Sequence, residues 1–259
     1  QWEKYGARVD VDQSYSYATP DRDVERRLKI APGLAVQLGG SLTAVCSAWP
    51  DSISVADAIA HSPFNSLAKE HELRDETVRV SSAFDRLARG NAIDTQWCDG
   101  ISHPSAAILD HALLADLVIM SVPPASSFAH ADPLEIAARS GAPVLRLGSN
   151  FETTSFQKIL IGWMDSREAR CALRAALPFL QRAGEVVLAG VGEGVSSARL
   201  AEAGEYLSIR EVGAQILHIE SSETAAERYW QTLPVVKISI WLLQALDSMV
   251  SGERDYLVE

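Results

Sequence analysis

The sequence predicts a doubly wound α/β fold on three observations: helical and strand periodicities alternate along the chain, the connections between them are short, and the alternation begins again after residue 156. Residues 21–38 (DRDVERRLKIAPGLAVQL) place Val24, Leu28, Leu34 and Leu38 near helical spacing; Gly39-Gly40 then interrupts, and SLTAVCSAW reads as a short buried strand. The charged amphipathic stretch SLAKEHELRDETVRVSSAFDRLARGN predicts a helix ending at Gly90 and Asn91. A strand at AIDTQWC, a helix at SHPSAAILDHALL and a fully buried strand at ADLVIMS follow. DPLEIAARSGAPVLRLGS adds a helix stopped at Gly141 and an apolar strand around PVLRL. Connections this short imply parallel strands joined by right-handed crossovers, with helices on both faces of the sheet.

From residue 156 the pattern repeats. FQKILIGWMDS is a strand entering a turn, REARCALRAALPFLQRAG a helix closed by Gly184, and EVVLAGVGEG a strand ending in glycines; helix ARLAEAGEYLSIREVG and strand AQILHIE come next. The helix-glycine-strand unit at 24–45 thus recurs about 145 residues later, a period too long for a solenoid and suited to a domain duplication. The polar stretch SNFETTS at 149–155 has linker character, so the expected domains are 1–150 and 156–259.

Composition narrows the function. Of 259 residues, 47% are hydrophobic and 22% charged, as in a folded globular chain, and the formal net charge of −11 opposes attachment to nucleic acid or an anionic membrane. Cys46, Cys98 and Cys171 are far apart and odd in number, which fits neither a disulfide framework nor a CxxC metal knuckle and favours a reducing compartment. QWEKYGARVD has no signal pattern, and the apolar stretch PVVKISIWLLQALDSMV is interrupted by Lys237, Gln244 and Asp247. The expected location is cytoplasmic.

KILIGWMDSREARCALRAALPFLQRAGEVVLAGVGEG resembles the opening of a universal stress protein domain: first strand, Asp-x-Ser turn, long Ala-rich helix, second strand. The first half resembles it through VDQS at 11–14, the helix and strand at 21–45, and ADLVIMS and SGAPVLRLGS in place of the family's fourth and fifth strands. The resemblance implies two flavodoxin-like, adenine-nucleotide α-hydrolase-like doubly wound sheets that pair as an intramolecular pseudo-dimer. It also implies ATP or AMP as ligand, with an Asp at the end of the first strand and a glycine-rich G-x2-G-x9-G-[ST] loop around the phosphates. The departures are specific. No two glycines here stand three apart, and VPPASSFAHADP follows ADLVIMS where backbone N–H groups would cradle a phosphate. In the second half Met164 takes the usual Asp position, with Asp165 one place later, a shift that reverses a side chain's direction at a strand end. SGERDYLVE resembles the approach to a fourth strand, so the second copy is expected to be truncated or divergent, and residues 222–250 fit the family poorly.

The candidate nucleotide-contacting residues are accordingly Asp12, Ser14, Val45, Ser121, Asp165 and Ser166. Asp12, placed at a strand's C-terminal end, is either a ligand group or a turn-forming Asx followed by a capping serine; for Asp165 the cap is favoured. GVGEG at 190–194 lies between strand and helix but lacks the GxGxxG spacing, and Ser196 or Ser197 reads as a helix N-cap before it reads as a nucleophile. The six histidines show no HExxH, and His103 and His111 on the third expected helix have no carboxylate at ligand spacing, so no metal is expected. Trp49 and Trp97 end expected strands, as pocket walls or as residues packed on a helix. Three functions remain: a non-catalytic regulatory protein of the stress-response type with at most one weak adenine-nucleotide site near Asp12, Val45 and Ser121; an ATP-hydrolysing enzyme of the same fold; or an interaction module that binds a protein partner, or itself, through exposed sheet edges.

Overall fold

A computed structural model of the chain describes residues 11–49, 63–121, 129–148, 156–191 and 195–219. It divides into two compact units, Val11–Thr154 in one and Gln1–Asp10 with Ser155–Glu259 in the other. The expected linker at 149–155, the residues 222–250, the prolines of VPPASS and Gly192 to Gly194 lie outside the described residues.

The first unit is an α/β sheet wound on both sides. Its described elements are β1 (Gln13–Tyr17), α1 (Val24–Leu38), β2 (Ser41–Ser47), α2 (Pro63–Ala88), β3 (Thr95–Gly100), α3 (Pro104–Ala112), β4 (Leu117–Met120), α4 (Pro133–Ser140) and β5 (Val144–Arg146). All pairings are parallel, in the order β3-β2-β1-β4-β5. The doubly wound class is as expected, and the order is 3-2-1-4-5 rather than the 2-1-3-4-5 of flavodoxin itself. The direction of winding reverses between β1 and β4, which makes the gap between their C-terminal ends the switch point.

In-register residues of parallel neighbours share a face. Ser16 pairs with Ala44 and Ala44 with Trp97, whose ring lies 5.6 Å from that of Phe84 on α2. Ser14, Ser16, Leu42, Ala44, Leu117 and Ile119 therefore face the α1/α2 layer, and all are buried. Tyr17, Val45 and Val118 face the other layer, where the Tyr17 hydroxyl accepts from Ala131 N just before α4. α1 turns into β2 through Gly39, the left-handed C-cap (φ +83°), and Gly40, where a Cβ would fall 1.9 Å from the Val11 carbonyl oxygen. That close approach lets Ser41 N reach Asp12 O at 2.8 Å and sets the β1–β2 register.

The second unit's described elements are β6 (Lys158–Trp163), α5 (Arg167–Leu180), β7 (Glu185–Val191), α6 (Ser197–Ser208) and β8 (Ala214–Ile219), with parallel strands in the order β6-β7-β8. Strands added in one direction with right-handed crossovers put α5 and α6 on one face. Gly190 marks that face, since a Cβ there would meet Val195 at 2.6 Å and Leu200 at 3.2 Å; its register partners Trp163 and His218 point the same way. The opposite face carries the buried cluster of Leu160, Val187 and Ala189, with Leu217 against it. α5 stops at Leu180, short of the expected stop at Gly184, two residues after Pro178.

Candidate functional site

Open α/β sheets take ligands outside the carboxyl ends of their strands, at the switch point. In the first unit this place is occupied by a side chain of the protein's own. Arg27, on the second turn of α1, is fully buried and reaches over the ends of β1 and β4. Its Nε donates to Tyr17 O at 2.8 Å, one terminal nitrogen to Asp21 Oδ1 at 3.0 Å and Ser121 Oγ at 2.8 Å, and the other to Thr19 O at 3.0 Å and Asp21 Oδ2 at 2.8 Å. A guanidinium has five N–H donors, and all five are used. The Tyr17 ring lies beneath it, 5.0 Å from Cζ to centroid.

Local sequence explains why Arg27 goes in. Along α1 the buried positions Val24, Arg27, Leu28, Ala31, Leu34, Ala35 and Leu38 form the i, i+3, i+4 stripe that packs on the sheet, and Arg27 is its one charged member. A charge there requires a partner, and the loop before the helix supplies two. Asp21, with no exposed side-chain surface, makes the paired contact, and its Oδ1 also accepts from Asp23 N at 2.8 Å, turning the chain into the helix. Asp23 accepts the Ser121 hydroxyl in a short hydrogen bond and holds Arg26 in two bonds of 2.6 Å; Arg26 continues to Gly148 O at 2.8 Å. Asp21 and Asp23 against Arg26 and Arg27 leave the cluster without net charge.

Burial alone would raise the Asp23 carboxyl, but hydrogen bonds from Arg26 and Ser121 and the two guanidinium charges outweigh it and hold the group below its usual range. Burial pushes the Tyr17 phenol up to about 12. Cys46, buried at the end of β2, is pushed up to about 12 by the same cause with Asp99 adding to it, which leaves a thiol rather than a nucleophilic thiolate. His130 Nδ1 stands 4.0 Å from Asp21 Oδ2.

Of the six residues singled out from sequence, Ser121 lies in this cluster, directly after β4. Val45 is buried in β2, facing the α3/α4 layer. Two placements are corrected. Asp12 precedes β1, so it stands at the N-terminal edge of the sheet, opposite the switch point; there its backbone N–H and that of Gln13 are held by Asp116 Oδ2 at 3.0 and 2.9 Å, and its side chain borders a groove of about 360 Å³ with Val36, Gly40 and Asp94. Ser14 is inside β1 under α1, its hydroxyl buried and without a hydrogen-bond partner. The strand is QSYSY, after VD rather than before it.

In the second unit, Asp165 and Ser166 follow β6. Ser166 caps α5, its Oγ accepting from Ala169 N at 3.0 Å, and Asp165 pairs with Arg170 at 2.5 Å and Arg199 at 3.6 Å. Ser196 is the N-cap of α6 without a side-chain capping bond. His103 is the N-cap of α3, its Nδ1 accepting from Ser105 N at 3.3 Å, and His111 lies in that helix's last turn. Trp97 Nε1 donates to Asp99 at 3.1 Å. Among the described residues no group of three His, Cys, Asp or Glu side chains could hold a metal ion, and no helix is long and apolar enough to cross a membrane.

No short motif marks Arg27, Asp21, Asp23 and Tyr17 in the sequence. The available signal was Arg27's place in the apolar stripe, three residues after Val24 and one before Leu28, with PDRD immediately upstream.

No family model and no curated protein sequence matches the chain. Among solved structures it is similar to a universal stress protein from Archaeoglobus fulgidus DSM 4304, at 13% identity over 82% of this chain and 78% of that one, with a TM-score of 0.60. It is also similar to a protein from Pseudomonas aeruginosa UCBPP-PA14 described as a universal stress protein (18% identity, 87% of this chain and 80% of that one, TM-score 0.48). A universal stress protein in complex with cAMP aligns at 17% identity over 54% of this chain and 98% of that one, TM-score 0.33. The Archaeoglobus likeness shows the fold alone: a doubly wound α/β fold like that of the universal stress protein it resembles.

Proposed function

We propose that this chain is a non-catalytic regulatory protein of the stress-response type, which acts through a protein partner and holds an adenine nucleotide weakly at most, at the switch point of its first sheet. The observation that carries this is the saturated Arg27 cluster. A phosphate site needs unpaired donors, whereas every Arg27 N–H is committed internally and two carboxylates accompany it. General acid–base chemistry likewise needs a group free to meet a substrate, and Asp21, Asp23 and Ser121 are spent on one another and on Arg26 and Arg27.

Calorimetric titration with ATP and with AMP, alongside a phosphate-release assay, tests the proposal. Dissociation constants of about a tenth of a millimolar or weaker, equal for the two nucleotides, with no phosphate released, are expected. Tight binding that favours ATP, or turnover, would replace this reading with an ATP-hydrolysing enzyme.

A further inference from the structure

We infer that Arg27 is an intramolecular lock on the first switch point: its guanidinium occupies the place of a nucleoside and must withdraw before one can bind. The inference rests on the nucleotide reading above and adds how that site is regulated. Tyr17 O closes β1, Thr19 O lies two residues beyond it, and Ser121 Oγ is the first side-chain acceptor after β4; Arg27 bridges all three. These acceptors suit donors such as the exocyclic amino group of adenine or ribose hydroxyls, and the lock presents donors of the same kind from inside. The recognised portion is therefore the nucleoside rather than its phosphates. A second set of contacts keeps the lock shut: Ser121 donates to Asp23, and Arg26 joins Asp23 to Gly148 O, so residues directly after β4 and β5 are tied to the start of α1.

A ligand that binds only the withdrawn state has its affinity reduced by the fraction of molecules in that state. Relieving the lock raises affinity without adding a contact. The variant to compare with the wild-type chain is Arg27→Met with Asp21→Asn. It removes the guanidinium and its counter-charge together, and the asparagine keeps an acceptor for Asp23 N. Arg27→Lys is a second variant: its ammonium retains the charge but cannot span both strand ends. Each is checked for a cooperative melt, then titrated with adenosine and AMP. The lock predicts affinity at least about tenfold higher in the double variant, with an intermediate gain for Arg27→Lys and equal gains for adenosine and AMP.

A folded variant that binds no tighter than a weakly binding wild type overturns the lock and leaves the nucleotide reading standing. No heat at millimolar nucleoside from the wild type or from either folded variant overturns both. A silent wild type with a binding variant upholds the lock and confines nucleotide binding to the unlocked state. Gains for AMP without adenosine overturn it as well, since the released acceptors would then not be what the ligand uses.

Discussion

A guanidinium removed from water is tolerable only when its donors are satisfied, and Arg27 meets this condition with two backbone carbonyls, one hydroxyl and one carboxylate. Removing it strands Asp21 as a buried, unpaired charge. Arg27→Ala is expected to lower unfolding stability by about 3–5 kcal/mol in chemical denaturation. The surface pair Arg74–Glu70, with side chains 67% and 46% exposed, gives the contrast; Arg74→Ala should change stability by less than about 1 kcal/mol. The serines under α1 act in the opposite direction. Ser16 is buried with an unpartnered hydroxyl, so Ser16→Ala removes a desolvated polar group and should leave the protein as stable or more so, by up to about 1 kcal/mol. Two titrations have definite signs. The Asp23 carboxyl is lowered in the fold, so the folded state binds fewer protons than the unfolded chain; its stabilising effect is present above the unfolded carboxyl range and is lost as pH falls through the folded value. Asp23→Asn should flatten that part of the acid limb in a melting-temperature profile. Tyr17 is raised from 10.0 to about 12, so the fold favours the neutral phenol, and its contribution is lost as pH rises between those values. Ultraviolet titration of the folded protein should show a tyrosine that ionises only near pH 12, and Tyr17→Phe should abolish that step.

The elements show which parts of the fold can be read from a single sequence. Helices α1 and α5 and the apolar strands β4 and β7 are legible because their periodicities are undiluted: LVIM and EVVLAGV admit little but a buried strand. β1 is not legible in that way. QSYSY alternates serine with tyrosine and contains no aliphatic residue, so the pattern points to VD as the end of a strand, whereas the strand begins after it and Asp12 lies at the opposite edge of the sheet. What makes QSYSY a central strand is tertiary. Serines are small enough for α1 to lie close above them, while Tyr17 fills the opposite face and reaches Ala131. The candidate site was legible only at Ser121, because burial of Arg27 follows from the packing of α1 and not from any short motif. Gly40 carries a further expectation at this scale. A methyl group there would collide with the Val11 carbonyl, so Gly40→Ala should disturb the β1–β2 junction and lower stability by about 2 kcal/mol or more, measured by the same denaturation.

For the molecule as a whole, the alternation of helix and strand periodicities with short connections predicts the α/β class, and the structure supplies the strand order and the switch point that class requires. The two units end their first strands differently. In the first, four charged side chains gather over the strand ends, with Arg27 and Asp21 withdrawn from solvent; in the second, Asp165 meets Arg170 and Arg199 with all three side chains more than a third exposed. The filling of the first unit's strand ends by the protein's own arginine depends on one buried pair. A double-mutant cycle on Arg27 and Asp21, with Arg27→Met, Asp21→Asn and the combination measured by equilibrium denaturation, tests it most directly. A buried, paired Arg27 gives a coupling energy of about 2 kcal/mol or more, with the double variant closer to wild type than Arg27→Met alone. A coupling within about 0.5 kcal/mol of zero, the value of independent or solvated charges, would contradict it.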